Sequence, residues 1–234
     1  MEIIMALPKI QTTTYKVKLP STGKSIEYRP FLVKEEKMLM MLGETKDQQE
    51  LARNVKNLLS NCIITEIDVD NLTTFDIEYL FLALRAKSVG EVVSLFIPCE
   101  KCEKKNPIDI NLEKDVYVDM KKKQDFKIPI TSDVGLIMKY PSMDMVGFDE
   151  EKSDSIDMII SCLESIYDSS TVHNVSDYTN EEVRDFIQSL SVRDIQKIQT
   201  FFENIPKVKC KSNFLCPHCK AQNDTDIEGL SNFF

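Results

Sequence analysis

The chain has 234 residues, of which 42% are hydrophobic and 29% charged, and its formal net charge is −9. That length holds one or two packed domains, and the composition excludes a fibrous or disordered chain. The acid surplus argues against a generic nucleic-acid binder, which needs basic charge to displace counterions from phosphates, and a total of six glycines argues against large Gly-lined phosphate loops.

The start, "MEIIMALPKI", has no basic n-region and too short an apolar stretch for a signal peptide. The longest apolar run, "YLFLAL" at 79–84, is far short of a membrane span. The expected setting is a soluble protein in a reducing compartment. Its seven cysteines are then read as metal ligands and buried thiols, not disulfides.

In chain order, "TTTYKVKLPSTGKSIEYRP" reads as a β-hairpin: Tyr15, Val17 and Leu19 alternate into a turn at 21–24, and Ile26 and Tyr28 alternate out of it. "KEEKMLMMLG" predicts a short helix ended by Gly43, and "DQQELARNVKNLLSNCI" a second with Leu51, Val55, Leu58 and Leu59 at helical spacing. "LTTFDIEYLFLALRAKSVG" is the strongest helical pattern of the first half, with Thr73 or Thr74 as cap, Asp76 in the first turn and Gly90 past its end. Its middle is apolar nearly all round, which predicts a central, buried helix.

"EVVSLFI" and "NPIDINLE" predict two strands flanking "CEKC". Further strands are expected in "VYVDM", "FKIPI" and "GLIMKY", with "KKKQD" at 121–125 as a solvated loop and "MDMVGFDEEKSDS" as an acidic link. Ile156, Ile159, Ile160, Leu163, Ile166 and Tyr167 fall on one helical stripe. "SDYTNEEVRDFIQSL" opens with a capping box, Thr179 with Glu182. "SVRDIQKIQTFFENIP" predicts a third helix of this half, stopped by Pro206, and the three are expected to pack as a small bundle. Last comes a strand, "CPHC" and a strand.

The strand–CxxC–strand unit therefore occurs twice. Cys99 and Cys102 match Cys216 and Cys219. A tight turn after a strand lets two sulfurs converge on one ion, and two such knuckles complete a tetrahedron of four thiolates. The expected cofactor is one structural Zn²⁺ per chain, with iron as the alternative. The knuckles lie about a hundred residues apart, where an ordinary zinc ribbon has roughly 15–20. A closed four-thiolate shell leaves no open position for water or substrate, so the expected role is structural. His218 and Cys210 are alternative ligands of lower rank, and Cys62 and Cys162 fall in helical patterns as core thiols. Lys101, Lys104, Lys105, Lys209, Lys211 and Lys220 flank the knuckles and can offset the charge of the thiolate shell.

The expected fold class is α+β: a β-hairpin (10–30), a helical segment (31–90), a zinc ribbon assembled from two distant knuckles (91–112 plus 207–229), a strand-rich segment (113–145) and a helical bundle (150–205). No phosphate-binding loop, HExxH, GxSxG or dinucleotide fingerprint is present. His173, one of two histidines, sits in the polar "TVHNVSD" and is expected to be solvated. No catalytic residue is assigned.

The stretches "LPSTGKSIEYRPFLVKEEKMLM", "FDIEYLFLALRAKSVGEVV", "CEKC", "GLIMKYPS" and "CPHC…GLSNFF" together resemble the T4-type phage baseplate protein family, which contains a baseplate hub subunit and a hub assembly factor. The resemblance implies a non-enzymatic hub component or assembly chaperone. The implied partners are other hub proteins, with the tape-measure protein a further candidate and neither a small-molecule substrate nor a membrane. The implied location is the host cytoplasm during assembly, and the virion's tail baseplate if the chain is retained. Phe233 and Phe234 are the candidate partner-binding residues, with packing on the protein's own core as the alternative. A zinc-ribbon nucleic-acid binder is the second functional reading.

Overall fold

The computed structural model describes residues 10, 12–42, 48–120, 124–142 and 155–228, with backbone alone at 41, 42, 48, 49, 51 and 52. The expected helix stop at Gly43, most of the 121–125 loop, most of the acidic link, the side chain of Leu51, and Phe233 and Phe234 lie outside what is described.

Strands β1 (Tyr15–Lys18) and β2 (Ser25–Tyr28) form the expected antiparallel hairpin, in register from Tyr15 opposite Tyr28 to Lys18 opposite Ser25. Gly23, at φ +70, supplies the left-handed residue its turn needs, and its N–H reaches Leu19 O at 2.8 Å. Helices α1 (Val33–Leu42) and α2 (Gln48–Cys62) follow, and then α3 (Thr74–Ser88). The Thr73 side chain caps α3 by accepting from Asp76 N–H. Asp76 is itself buried and accepts from the backbone N–H (3.0 Å) and the hydroxyl of Ser21, so the first turn of α3 grips the hairpin loop. Phe75, Ile77, Leu80, Phe81, Leu82 and Leu84 are all buried, which makes α3 the central helix that its apolar circumference predicted.

Around α3 pack the first hairpin, α2, the hairpin of β3 (Val92–Pro98) with β4 (Lys105–Asn111), and a three-stranded sheet. That sheet has the order β11-β10-β5, from β5 (Val116–Asp119), β10 (Lys207–Leu215) and β11 (Gln222–Glu228). The end of the chain therefore pairs with its middle, Cys210 lying opposite Val116.

Between β5 and β10 the chain makes a second lobe. A four-stranded sheet of β6 (Lys127–Pro129), β7 (Gly135–Met138), β8 (Leu163–Tyr167) and β9 (Val172–Asn174) packs with α4 (Ser155–Ser161), α5 (Asn180–Gln188) and α6 (Val192–Glu203). This corrects the expected helical bundle at 150–205. The stripe from Ile156 to Tyr167 is a helix only as far as Ser161, and Leu163, Ile166 and Tyr167 belong to a strand. Strand β7 supplies the reason: Leu136 pairs with Ile166 and Gly135 with Tyr167, satisfying the backbone by ladder bonds. The Tyr167 ring lies where a Cβ on residue 135 would stand, so any side chain there would have to displace the ring. The Thr179–Glu182 capping box forms as expected, and Ser191 with Asp194 makes a second one on α6.

The lobes meet through aromatic rings. Tyr140 lies edge-on to Phe75 of α3 (5.1 Å between centroids) and to Phe126 (4.9 Å), and it stacks at 6.5 Å with Phe201 of α6.

Glu78 on α3 carries an uncommon charge. Burial, and then Glu228, push its carboxyl up from 4.5 to about 7 against the opposing pull of Lys207. A carboxyl raised in the folded state adds its stability in full below its unfolded pKa and loses it as pH rises through the folded one. Glu78→Gln is expected to stabilise the protein above pH 7, by about 3 kcal/mol at most. Urea unfolding should show the gain at pH 8 and little at pH 5. Equal gains at the two values would show that Glu78 stays ionised.

Candidate metal centre

Two hairpin turns build the site, and they correspond bond for bond. In the first, Cys99 N–H donates to Lys104 O (3.0 Å) and Glu103 N–H to Cys99 O (2.8 Å). In the second, Cys216 N–H donates to Ala221 O (2.9 Å) and Lys220 N–H to Cys216 O (2.9 Å). Glu103 and Lys220 hold the matching left-handed conformation, φ 57 and φ 59. The curl turns backbone N–H groups onto the leading sulfur of each knuckle: those of Cys102 and Lys101 onto Cys99, those of Cys219 and His218 onto Cys216.

The hairpins bring the four predicted residues together across 120 positions of sequence. Cys99 Sγ is 3.6 Å from Cys219 Sγ and Cys102 Sγ is 3.7 Å from Cys216 Sγ. All four sulfurs lie within 4.8 Å of one another. A metal–sulfur length of about 2.3 Å sets tetrahedral S···S edges of about 3.8 Å, so the four residues can hold a metal ion. Cys99 and Cys216 are buried, while Cys102 and Cys219 are half-buried.

The sulfurs differ in their readiness to ionise. Burial pushes the Cys99 thiol up, but the Cys102 and Lys101 N–H groups and the Asn223 side chain outweigh it and hold the thiol at about 6. At Cys216 the Cys219 N–H leads the causes and the thiol is also lowered. At Cys102 the Lys104 N–H favours the thiolate, yet burial and hydrogen bonds with the other three sulfurs raise it to about 11. Four thiolates this close cannot all ionise without a cation among them.

The remaining cysteines stand apart. Cys62, Cys162 and Cys210 are buried, and burial pushes them up to about 11, 12 and 12. His218 is exposed and outside the cluster. Two expectations change. Lys209 does not serve the thiolates, because Asp119 (3.2 Å) and Glu228 (3.0 Å) hold its ammonium on the sheet. His173 is not merely solvated: Nδ1 lies 2.7 Å from the Tyr178 hydroxyl and Nε2 3.1 Å from Asp168, and this contact leads the causes that hold the Asp168 carboxyl well below its ordinary range. Two buried residues at the cluster, Asn106 and Asn223, escaped sequence reasoning. Their signal was an extension of the repeat, since both units read CxxCxxxN.

A cavity of about 980 Å³ lies away from the cluster, between α4, β8 and α5. Asp157 and Arg184 in its wall are ion-paired, and neither histidine nor cysteine lines it. No helix among the described residues is long and apolar enough to cross a membrane.

Fold and site thus define an α+β protein whose mid-chain and C-terminal hairpins meet at a tetrathiol cluster. The chain belongs to the T4 bacteriophage base plate protein family, whose model matches residues 12–234. It is 26% identical over 220 residues to the baseplate hub assembly protein gp26 of Enterobacteria phage T4, a match that covers 94% of this chain and 97% of that protein. No solved structure matches the chain. The family relationship supports a role in the phage baseplate.

About one divalent ion per chain is expected after purification without chelator. Cys99→Ser and Cys216→Ser should each lose it, and Cys162→Ser and Cys210→Ser should retain it. Elemental analysis of gel-filtered protein makes the comparison. Full metal content in Cys99→Ser would place the ion elsewhere.

Proposed function

We propose that the protein is a component or assembly chaperone of the central hub of a phage tail baseplate. It would act without catalysis, as a protein–protein interaction scaffold stapled by one structural Zn²⁺. The observation that carries the hub reading is the match to a hub assembly protein along nearly the whole of both chains.

Zinc is the ion that the donor set favours, because four thiolates in a closed tetrahedron suit a d¹⁰ ion with no geometric preference of its own. Cys99, Cys102, Cys216 and Cys219 would be its ligands. When bound, the ion supplies cross-linking and charge neutralisation. The chain's own part is to aim N–H groups at the sulfurs and to bury two of the four. A filled thiolate shell has no position for a substrate, which supports a non-enzymatic reading.

The partners proposed are other hub proteins, with the tape-measure protein as a further candidate. The proposed location is the host cytoplasm during assembly, with retention in the virion baseplate as the alternative outcome. Phe233 and Phe234 are proposed as partner contacts.

Affinity capture of the tagged chain from infected cells, with mass spectrometry of purified virions, tests this reading. Hub proteins should be recovered with the chain, and a form lacking residues 230–234 should recover them at reduced yield. Undiminished recovery by that form would remove the terminal phenylalanines from the interface. Failure of the full-length chain to recover any hub protein would falsify the hub reading itself.

A further inference from the structure

Asn106 and Asn223 occupy equivalent places, each four residues past the second cysteine of its knuckle, and each is 1% exposed. Burying an amide is costly unless its donors and acceptor are satisfied, so their partners are informative.

Each amide first ties down its own turn. Asn106 Nδ2 donates to Lys104 O at 2.8 Å, and Asn223 Nδ2 donates to Ala221 O at 3.0 Å. These are the carbonyls that also accept from Cys99 N–H and Cys216 N–H. The oxygen ends then point across to the opposite knuckle. Asn223 Oδ1 accepts from Glu100 N–H at 2.9 Å, inside the first knuckle, and Asn106 Oδ1 lies 3.8 Å from Cys216 Sγ, which donates to it, in the second. Each asparagine is thus hung from one hairpin and seated on the other.

We propose that Asn106 and Asn223 are reciprocal positioning residues of the metal centre, each fixing the cysteines of the opposite knuckle. This rests on the metal reading above and adds to it. A CxxC turn can orient two sulfurs by local backbone geometry alone, but nothing local can set one pair against a pair more than a hundred residues away. The β5–β10 pairing brings the hairpins near each other, and the two amides link one knuckle to the other. The two contacts differ in kind: Asn106 Oδ1 accepts from the Cys216 thiol and so seats that sulfur before it ionises, whereas the Asn223 side chain favours the Cys99 thiolate and holds Glu100 N–H in either state. Replacing residues that orient metal ligands typically costs about 10- to 100-fold in metal affinity.

The test is residue-resolved. The metal-loaded full chain is exposed to iodoacetamide, and alkylation at each cysteine is read by mass spectrometry over time. In the wild type, all four cysteines should be protected until a chelator is added. Asn106→Ala should lower metal affinity about 10- to 100-fold and should speed alkylation first at Cys216, on the far knuckle. Asn223→Ala should speed it first at Cys99. Asn106→Ser and Asn223→Ser carry the same reading if an alanine variant does not accumulate as folded protein. Faster alkylation confined to each variant's own knuckle would reduce the asparagines to local turn supports and overturn the proposal, as would unchanged protection. A wild type unprotected before chelation would overturn the metal reading, and this inference with it.

Discussion

The meeting of two hairpins at four sulfurs is the constraint on which the architecture depends. Between Cys102 and Cys216 the chain leaves, builds a whole lobe and returns. Closing an excursion of that length with a cross-link removes unfolded-chain entropy worth about 4–5 kcal/mol in a loop-closure model, a large share of the stability of an ordinary domain. The polypeptide does part of the work itself: β10 pairs with β5, and Val208, Cys210 and Phe214 enter the core around α3. What remains is a cluster of thiols, one raised to about 11 by burial and by its neighbouring sulfurs, that a cation would relieve.

The second lobe is in effect an insertion between the two halves of this clamp. It is held at its base by the clamp and along its side by Tyr140, which touches Phe75 in one core and Phe126 and Phe201 in the other. Thr74 N–H donates to Pro141 O at 3.0 Å beside the same contact. The start of α3 therefore serves three neighbours: Asp76 takes the first hairpin, Phe75 the aromatic bridge, and Thr74 the strand end of the second lobe. Such cross-connection suits the hub-scaffold role proposed above, which would need surfaces held in a constant relation.

Much of this was legible in the residues because it is local. The cap at Thr179, the turn at Gly23 and the repeated knuckles each rest on a few adjacent positions and formed as read, and of the two threonines offered as the cap of α3 it is Thr73 that serves. The C-terminal half of the Ile156–Tyr167 stripe was not legible. Its apolar spacing suits a helix, and only a partner strand that pairs Leu136 with Ile166 makes it a strand. His173 looked like a solvated loop residue because Asp168 and Tyr178, five positions to either side, face it only once β8 and β9 have paired.

The sequence by itself determined the four cysteines, their division into two knuckles and the all-sulfur character of the candidate site, because side-chain chemistry and turn geometry are properties of short stretches. Family membership, too, was carried by stretches that can be read in order along the chain. The tertiary structure alone decided that the four sulfurs come within 4.8 Å of one another, that Asn106 and Asn223 cross between the knuckles, and that Lys209 is held by carboxylates. Each of these depends on groups distant in sequence, whose proximity is set by the packing around α3.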